Sequence, residues 1–193
     1  MKKINNYINL LKESLSHLEK DESKVNDIAK YIKFCNKKNL KVLVAGNGGS
    51  CADAEHFVGE LVCTFSKKNR KPISAINLAA GNSALTAWAN DFGFESFFER
   101  LTMAHGKKGD CIIFISTGGG NIKNKASINL ISAAKIAKKK GMKIFSLVGK
   151  DGGFLYKNSD ISIKIKSHTT SIIQECHMTV LHYICYKLVF IHF

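Results

Sequence analysis

Proline is almost absent: Pro72 is the only one in 193 residues. The chain therefore carries no Pro-rich linker, and neither a solenoid-period repeat nor a low-complexity tract marks a domain boundary. CxxC pairs are missing as well. The six cysteines, at 35, 51, 63, 111, 176 and 185, do not form the dense framework of a small secreted scaffold, and most sit in apolar surroundings. They read as reduced thiols packed like small hydrophobes, with a reducing cytoplasm as the simplest home. Long apolar runs are lacking: stretches such as Val42 to Ala45 and Cys111 to Ile115 fall far short of the ~18 residues that cross a bilayer. At the amino end, Asn5, Asn6, Asn9 and Lys12 interrupt what would be the apolar segment of a secretory signal, so none is expected.

Acidic residues are scarce. Fifteen Asp and Glu stand against 29 Lys and Arg, a net charge of +14. Such an excess attracts phosphates, whether on nucleic acid, on lipid headgroups or on small metabolites, and charge by itself does not choose among them. No aromatic-basic motif accompanies the charge, and the densest basic run, Lys67 to Lys71, reads as a solvated loop, so nucleic acid is not the expected partner. GxxxxGK[ST] does not occur and no segment completes GxGxxG, which counts against ATP hydrolysis and dinucleotide binding.

What is present is ordinary globular material: 45% hydrophobic, 23% charged and 15 Gly. The length fits one domain over 1–193, with residues 1–38 as a helical extension. Ile4, Tyr7, Ile8, Leu11, Leu15 and Leu18 recur at helical spacing, as do Val25, Ile28, Ala29, Ile32 and Cys35. Strands are expected at Lys41 to Ala45, Ile73 to Leu78, Cys111 to Ser116, KIFSLVG and Ile161 to Ile165, the last alternating like an edge strand. Between them fall helices at about Ser50 to Phe65, Ser83 to Asn90, Phe94 to Met103 and Ala126 to Lys140, with a closing helix from about Thr170. Elements in this alternation specify an α/β fold, a parallel sheet covered on both faces.

Three strands end in glycine-rich turns: Gly46 to Ser50, Ser116 to Asn121, and Gly149 to Gly153. The carboxyl ends of parallel strands share one edge, so the turns should converge on one crevice. Backbone N–H groups and small hydroxyls there suit a phosphate, and the first two turns lead towards helix N-termini. On the helix after the first turn, His56 and Glu60 are four apart and face the same way, able to hold a metal or share a proton. In QECHMTVLH on the closing helix, Gln174 and His182 are eight apart, about 80° around the helix, with Glu175 and His177 as rival candidates.

AGNGGSCADAEHFVGEL from Ala45, the Ser-Thr turn at Ser116 and IQECHMTVLH from Ile173 together resemble the phosphoheptose isomerase family over nearly the whole chain. The resemblance implies the sugar isomerase (SIS, flavodoxin-like) fold: a three-layer αβα sandwich with a five-stranded parallel sheet. It implies a homotetramer with active sites at subunit interfaces. The implied activity is conversion of sedoheptulose 7-phosphate into glycero-manno-heptose 7-phosphate for bacterial surface polysaccharide.

Position by position, Asn47, Gly48, Gly49 and Ser50 match the first substrate loop, Asn90 and Asp91 the sugar-contacting pair, and Ser116 and Thr117 the phosphate turn, which continues through Gly118 and Asn121. His56, Glu60, Gln174 and His182 match the zinc positions, Glu60 and His182 the acid/base pair, and Gln174 and Glu60 also face substrate. Four positions depart from the family pattern: Thr64 and Ile172 stand where relatives carry Arg, and Gly118 and Asn121 where they carry Ser. Losing two guanidinium forks removes bidentate anion contacts that no neutral side chain copies, which leaves the preferred sugar phosphate open. A non-catalytic alternative stands beside the enzyme: initiator-associating proteins and sugar-phosphate-sensing modules are built on the same fold.

Overall fold

The computed structural model describes residues 3–191, in the order α1 (Ile4–Ser16), a 3₁₀ turn, α2 (Glu22–Lys37), β1 (Val42–Gly46), α3 (Gly49–Val62), β2 (Ala75–Asn77) and α4 (Asn82–Phe92). A second 3₁₀ turn (Phe94–Ser96) precedes α5 (Phe97–His105), β3 (Cys111–Ser116), α6 (Ile128–Lys139), β4 (Lys143–Val148), α7 (Gly153–Asn158), β5 (Ile161–Lys164) and α8 (Thr170–Phe190). All five strands are parallel, in the order β2-β1-β3-β4-β5, with Val44 opposite Ile113 and Ile113 opposite Phe145.

The pleat divides the core in two. Val42, Val44, Ile113, Ile115 and Leu147 face α2, α3 and α8, whereas Leu43, Ala45, Ile112, Phe114 and Val148 face α5, α6 and α7. Both faces of the central strands are buried, which is why they read as unbroken apolar runs rather than alternating ones. On α2 the stripe Val25, Ile28, Ile32 and Cys35 is sealed against the sheet, each aliphatic side chain contributing about 1.5–3 kcal/mol of burial. The amino-terminal helical extension is thus anchored through α2, while α1 buries only Ser14. At the strands' amino ends the buried Asp110 carboxylate accepts from Lys41 N, Lys107 N and Lys41 Nζ, tying β1 to β3.

Two local expectations change. β2 is shorter than the apolar run around it, because its edge position leaves only Ala75–Asn77 paired with β1. The turn after β4 runs into α7, which had no periodic apolar signal because it is only six residues long. No helix among the described residues is long and apolar enough to cross a membrane.

The chain leaves β1 towards β2 on one side and returns at β3 to build outwards through β4 and β5 on the other. The switch point therefore lies between β1 and β3, where the strand order reverses and a crevice opens at their carboxyl ends.

Candidate active site

The turn after β1 supplies one wall. Gly48 adopts φ +56°, a conformation costly for a residue with a Cβ, and this lets the Ser50 N–H reach the Asn47 carbonyl as α3 starts. A side chain on Gly49 would collide with the Gln174 carboxamide, so α8 lies directly against the start of α3. Asn47 exchanges two hydrogen bonds with Asn129 on α6, of 3.0 and 2.9 Å.

The turn after β3 supplies the second wall. Ser116 is buried, and its Oγ accepts from Gly119 N at 3.1 Å. Gly119, at φ +67°, is so close to the Gly152 carbonyl that a Cβ would overlap it. The third turn is consequently a buttress and not an open anion cradle: the N–H groups of Phe154 and Leu155 at the start of α7 donate to the Gly120 and Gly119 carbonyls. The second turn does not lead straight into a helix either. Residues 121–127 intervene before α6, closed at their base by a bridge between Asn121 and Ala126. Asn121 Oδ1 accepts from Lys123 N and Asn124 N, an Asx-type turn that commits its oxygen to this loop.

The titratable cluster forms where α3 packs on α8. His56 Nε2 lies 3.0 Å from His182 Nε2 and 3.4 Å from Glu60 Oε1, and ligand atoms of all three residues lie within 4.8 Å of one another. Nitrogen and oxygen ligands about 2.0–2.1 Å from a tetrahedral ion stand about 3.3 Å apart, so these donors fit a zinc-sized divalent ion. Gln174 is two turns earlier on α8, and the Phe65 ring stacks on His182 at 6.2 Å between centroids. His56 and Glu60 keep 47% and 25% of their side-chain surface exposed, which leaves the cluster open to a ligand.

The remaining positions separate from this cluster or are occupied otherwise. Asn90 and Asp91 are exposed on α4, hydrogen-bonded to each other at 2.9 Å, and α4 packs chiefly on the neighbouring 3₁₀ turn and α5, on the far face from α3 and α8. Glu175 accepts from Tyr7 OH at 2.7 Å, and His177 is fully buried with neither ring nitrogen hydrogen-bonded. Ile172 is in the core and Thr64 Oγ1 donates to the Lys67 carbonyl, so neither position offers a substitute for an arginine.

Two contributors were not singled out from the sequence. Arg70, inside the basic run, donates Nη2 to the Glu60 and Leu61 carbonyls at 2.7 and 2.8 Å and closes the last turn of α3. A basic residue shortly after a helix end was the available signal. Asp53, one turn before His56, is half-buried with Oδ2 unpartnered; burial raises its carboxyl pKa to about 6, against the pull of His56.

A family model for the SIS domain matches residues 6–149. Among curated proteins, a probable phosphoheptose isomerase of Thermoplasma acidophilum is 42% identical over 162 residues, 84% of this chain and 85% of that protein. A phosphoheptose isomerase of Helicobacter pylori is 45% identical over 145 residues, 75% of this chain and 72% of its own. The solved phosphoheptose isomerase from Francisella tularensis superposes with a TM-score of 0.88 at 30% identity, covering 96% of this chain and 95% of that one. The corresponding Neisseria gonorrhoeae structure gives 0.86 at 30% identity, covering 96% of each chain. A strand-order switch flanked by two glycine turns, a His-Glu-His cluster where α3 packs on α8 and this breadth of similarity lead to one assignment: the chain belongs to the phosphoheptose isomerases of the SIS-domain family.

Proposed function

We infer that the chain is an aldose-ketose isomerase that interconverts sedoheptulose 7-phosphate and D-glycero-D-manno-heptose 7-phosphate, serving surface heptose synthesis. The observation that carries this reading is the meeting of a carboxylate from α3 with an imidazole from α8, on the two helices whose Gly49 and Gln174 touch beside the turn after β1. Glu60 takes a proton from the carbon beside the substrate carbonyl as His182 gives one to the carbonyl oxygen, forming an enediol. The Glu60 carboxyl then protonates the former carbonyl carbon while His182 takes the proton of the neighbouring hydroxyl, which becomes the new carbonyl. The Gly48 and Gly49 N–H groups, the Ser50, Ser116 and Thr117 hydroxyls and the N-terminus of α3 hold the remote phosphate, so that binding energy orients the reacting end.

His56, Glu60 and His182, with Gln174, would hold a zinc ion, which when bound would polarise a substrate oxygen. Such a donor set lacks the thiolates of a closed structural site, which suits an exchangeable ion. Metal analysis of the purified protein is expected to show a divalent ion that the His56→Ala, His182→Ala double variant has lost. Equal content in the two proteins would remove the metal from the site.

A second copy of the chain completes the pocket in this reading. Asn90 and Asp91 match the sugar-contacting pair yet lie on the far face of their own chain, so they reach a sugar in another subunit's site, as in a homotetramer. The six free cysteines fit a cytoplasmic setting.

The test is incubation with a panel of ketose phosphates in deuterium oxide. Deuterium is expected to enter the carbon beside the carbonyl of sedoheptulose 7-phosphate as aldose accumulates. Binding without exchange for every sugar would make the protein a sensor and not an enzyme.

A further inference from the structure

We propose that Asn129 is a positioning residue of the sugar-phosphate site, acting through Asn47 as a clamp that fixes the first glycine turn against the start of α6. The proposal rests on the sugar-phosphate reading of this edge. The two carboxamides face each other as a closed pair: Asn47 Nδ2 donates to Asn129 Oδ1 at 3.0 Å, and Asn129 Nδ2 donates to Asn47 Oδ1 at 2.9 Å. Asn129 is only 3% exposed, and its Oδ1 also accepts from Leu130 N at 2.9 Å. That third bond is shared, because the Leu130 N–H also reaches the Ser127 carbonyl at 3.1 Å, and it ties the Asn129 carboxamide to the first turn of α6.

A carboxamide is the side chain that can donate and accept in this geometry at once, and breaking one half strands a buried polar group. Besides this clamp the turn is held by backbone bonds of the helix start, from Ser50 N to the Asn47 carbonyl and from Cys51 N to the Gly48 carbonyl. Gly48 follows Asn47 at φ +56°, and the Gly48 and Gly49 N–H groups have no protein acceptor among the described residues. Both N–H groups are free for an anion, and Asn47 is the residue that leads the chain into them. The clamp therefore sets the spacing between the turn after β1 and the segment that follows the turn after β3, the two walls of the crevice. With the oxygen and one N–H of Asn47 engaged by Asn129, the clamp leaves direct anion contacts to the backbone beyond it and to Ser50.

The experiment uses the full chain, with Asn129→Leu, Asn47→Leu, the double variant and Asn129→Asp, which keeps the side-chain shape but loses one of the two bonds. Readouts are kcat and KM for the ketose phosphate, the Kd of inorganic phosphate by calorimetry, and Tm. Asn129→Leu is expected to raise KM and the phosphate Kd by about tenfold, with kcat changed by less than about twofold, the signature of lost binding orientation. Asn129→Asp should move both in the same direction and supplies the measurement if the Leu variant does not fold. The double variant should be no worse than the poorer single one, because both residues form one device. Additive losses, or a folded Asn129 variant with wild-type phosphate affinity, would overturn the clamp. Wild-type protein that binds no phosphate at all would sink the underlying reading and the clamp with it. Wild-type protein that binds phosphate without turnover leaves the clamp to be decided by the Kd comparison.

Discussion

Glu60→Gln is expected to abolish deuterium uptake into the sugar phosphate and to cut turnover by on the order of 10²–10⁴, the range lost with a well-placed general base. The substitution keeps the shape of the side chain and removes its ability to accept a carbon proton. Glu60 is on the exposed shoulder of α3, a quarter of its side-chain surface open, and its backbone carbonyl rather than its carboxylate receives Arg70. The fold and the assembly should therefore survive, with Tm within a few degrees of wild type. Because Glu60 is also a metal candidate, the metal content of the variant has to be measured alongside. Loss of exchange with the ion retained isolates the proton-transfer role. Exchange continuing at the wild-type rate would take Glu60 out of that role altogether.

Acid should weaken the protein through His177, a core residue of α8 that is not one of the His56, Glu60 and His182 cluster. The ring is fully buried and burial lowers its pKa to about 4, with the Val148 backbone opposing the shift. An unfolded histidine titrates near 6.5. The folded state thus prefers the neutral ring, and its contribution is fully present above pH 6.5. It fades as the pH falls from 6.5 towards 4, where the unfolded chain binds the proton and the folded chain does not. A difference of about 2.5 pH units corresponds to about 3 kcal/mol lost across that window. Urea unfolding of wild type and of His177→Leu at pH 7.5, 6, 5 and 4 measures it. The wild-type midpoint should fall more steeply than the variant's between pH 6.5 and 4, and parallel profiles would exclude His177 as the source.

The same residue shows the limit of reading a helix as a string. On a 21-residue closing helix, Gln174, Glu175, His177 and His182 all had chemistry to offer. Their roles diverge only because α8 is packed on three sides: Glu175 turns to Tyr7 on α1, His177 is sunk beneath the end of β4, and His182 meets α3. The basic run Lys67 to Lys71 behaves similarly. Four of its residues are surface material by composition, and Arg70 becomes the cap of the α3 end because the chain doubles back beside Leu61 before β2.

Local chemistry was enough for the strands, whose double-sided burial needs unbroken β-branched and apolar runs, and for the pairing of His56 with Glu60, which the helical repeat puts on one face. It was enough, too, to place glycine-rich turns at the carboxyl ends of β1 and β3. What only the tertiary structure decided was contact across long stretches of chain: His56 beside His182, Asn47 locked to Asn129, and the third glycine turn spent on supporting the second. Spacing within an element follows from backbone geometry and can be counted along the residues. Meetings between elements depend on strand order and on which side of the sheet each crossover takes, and here the reversal between β1 and β3 put them at one edge.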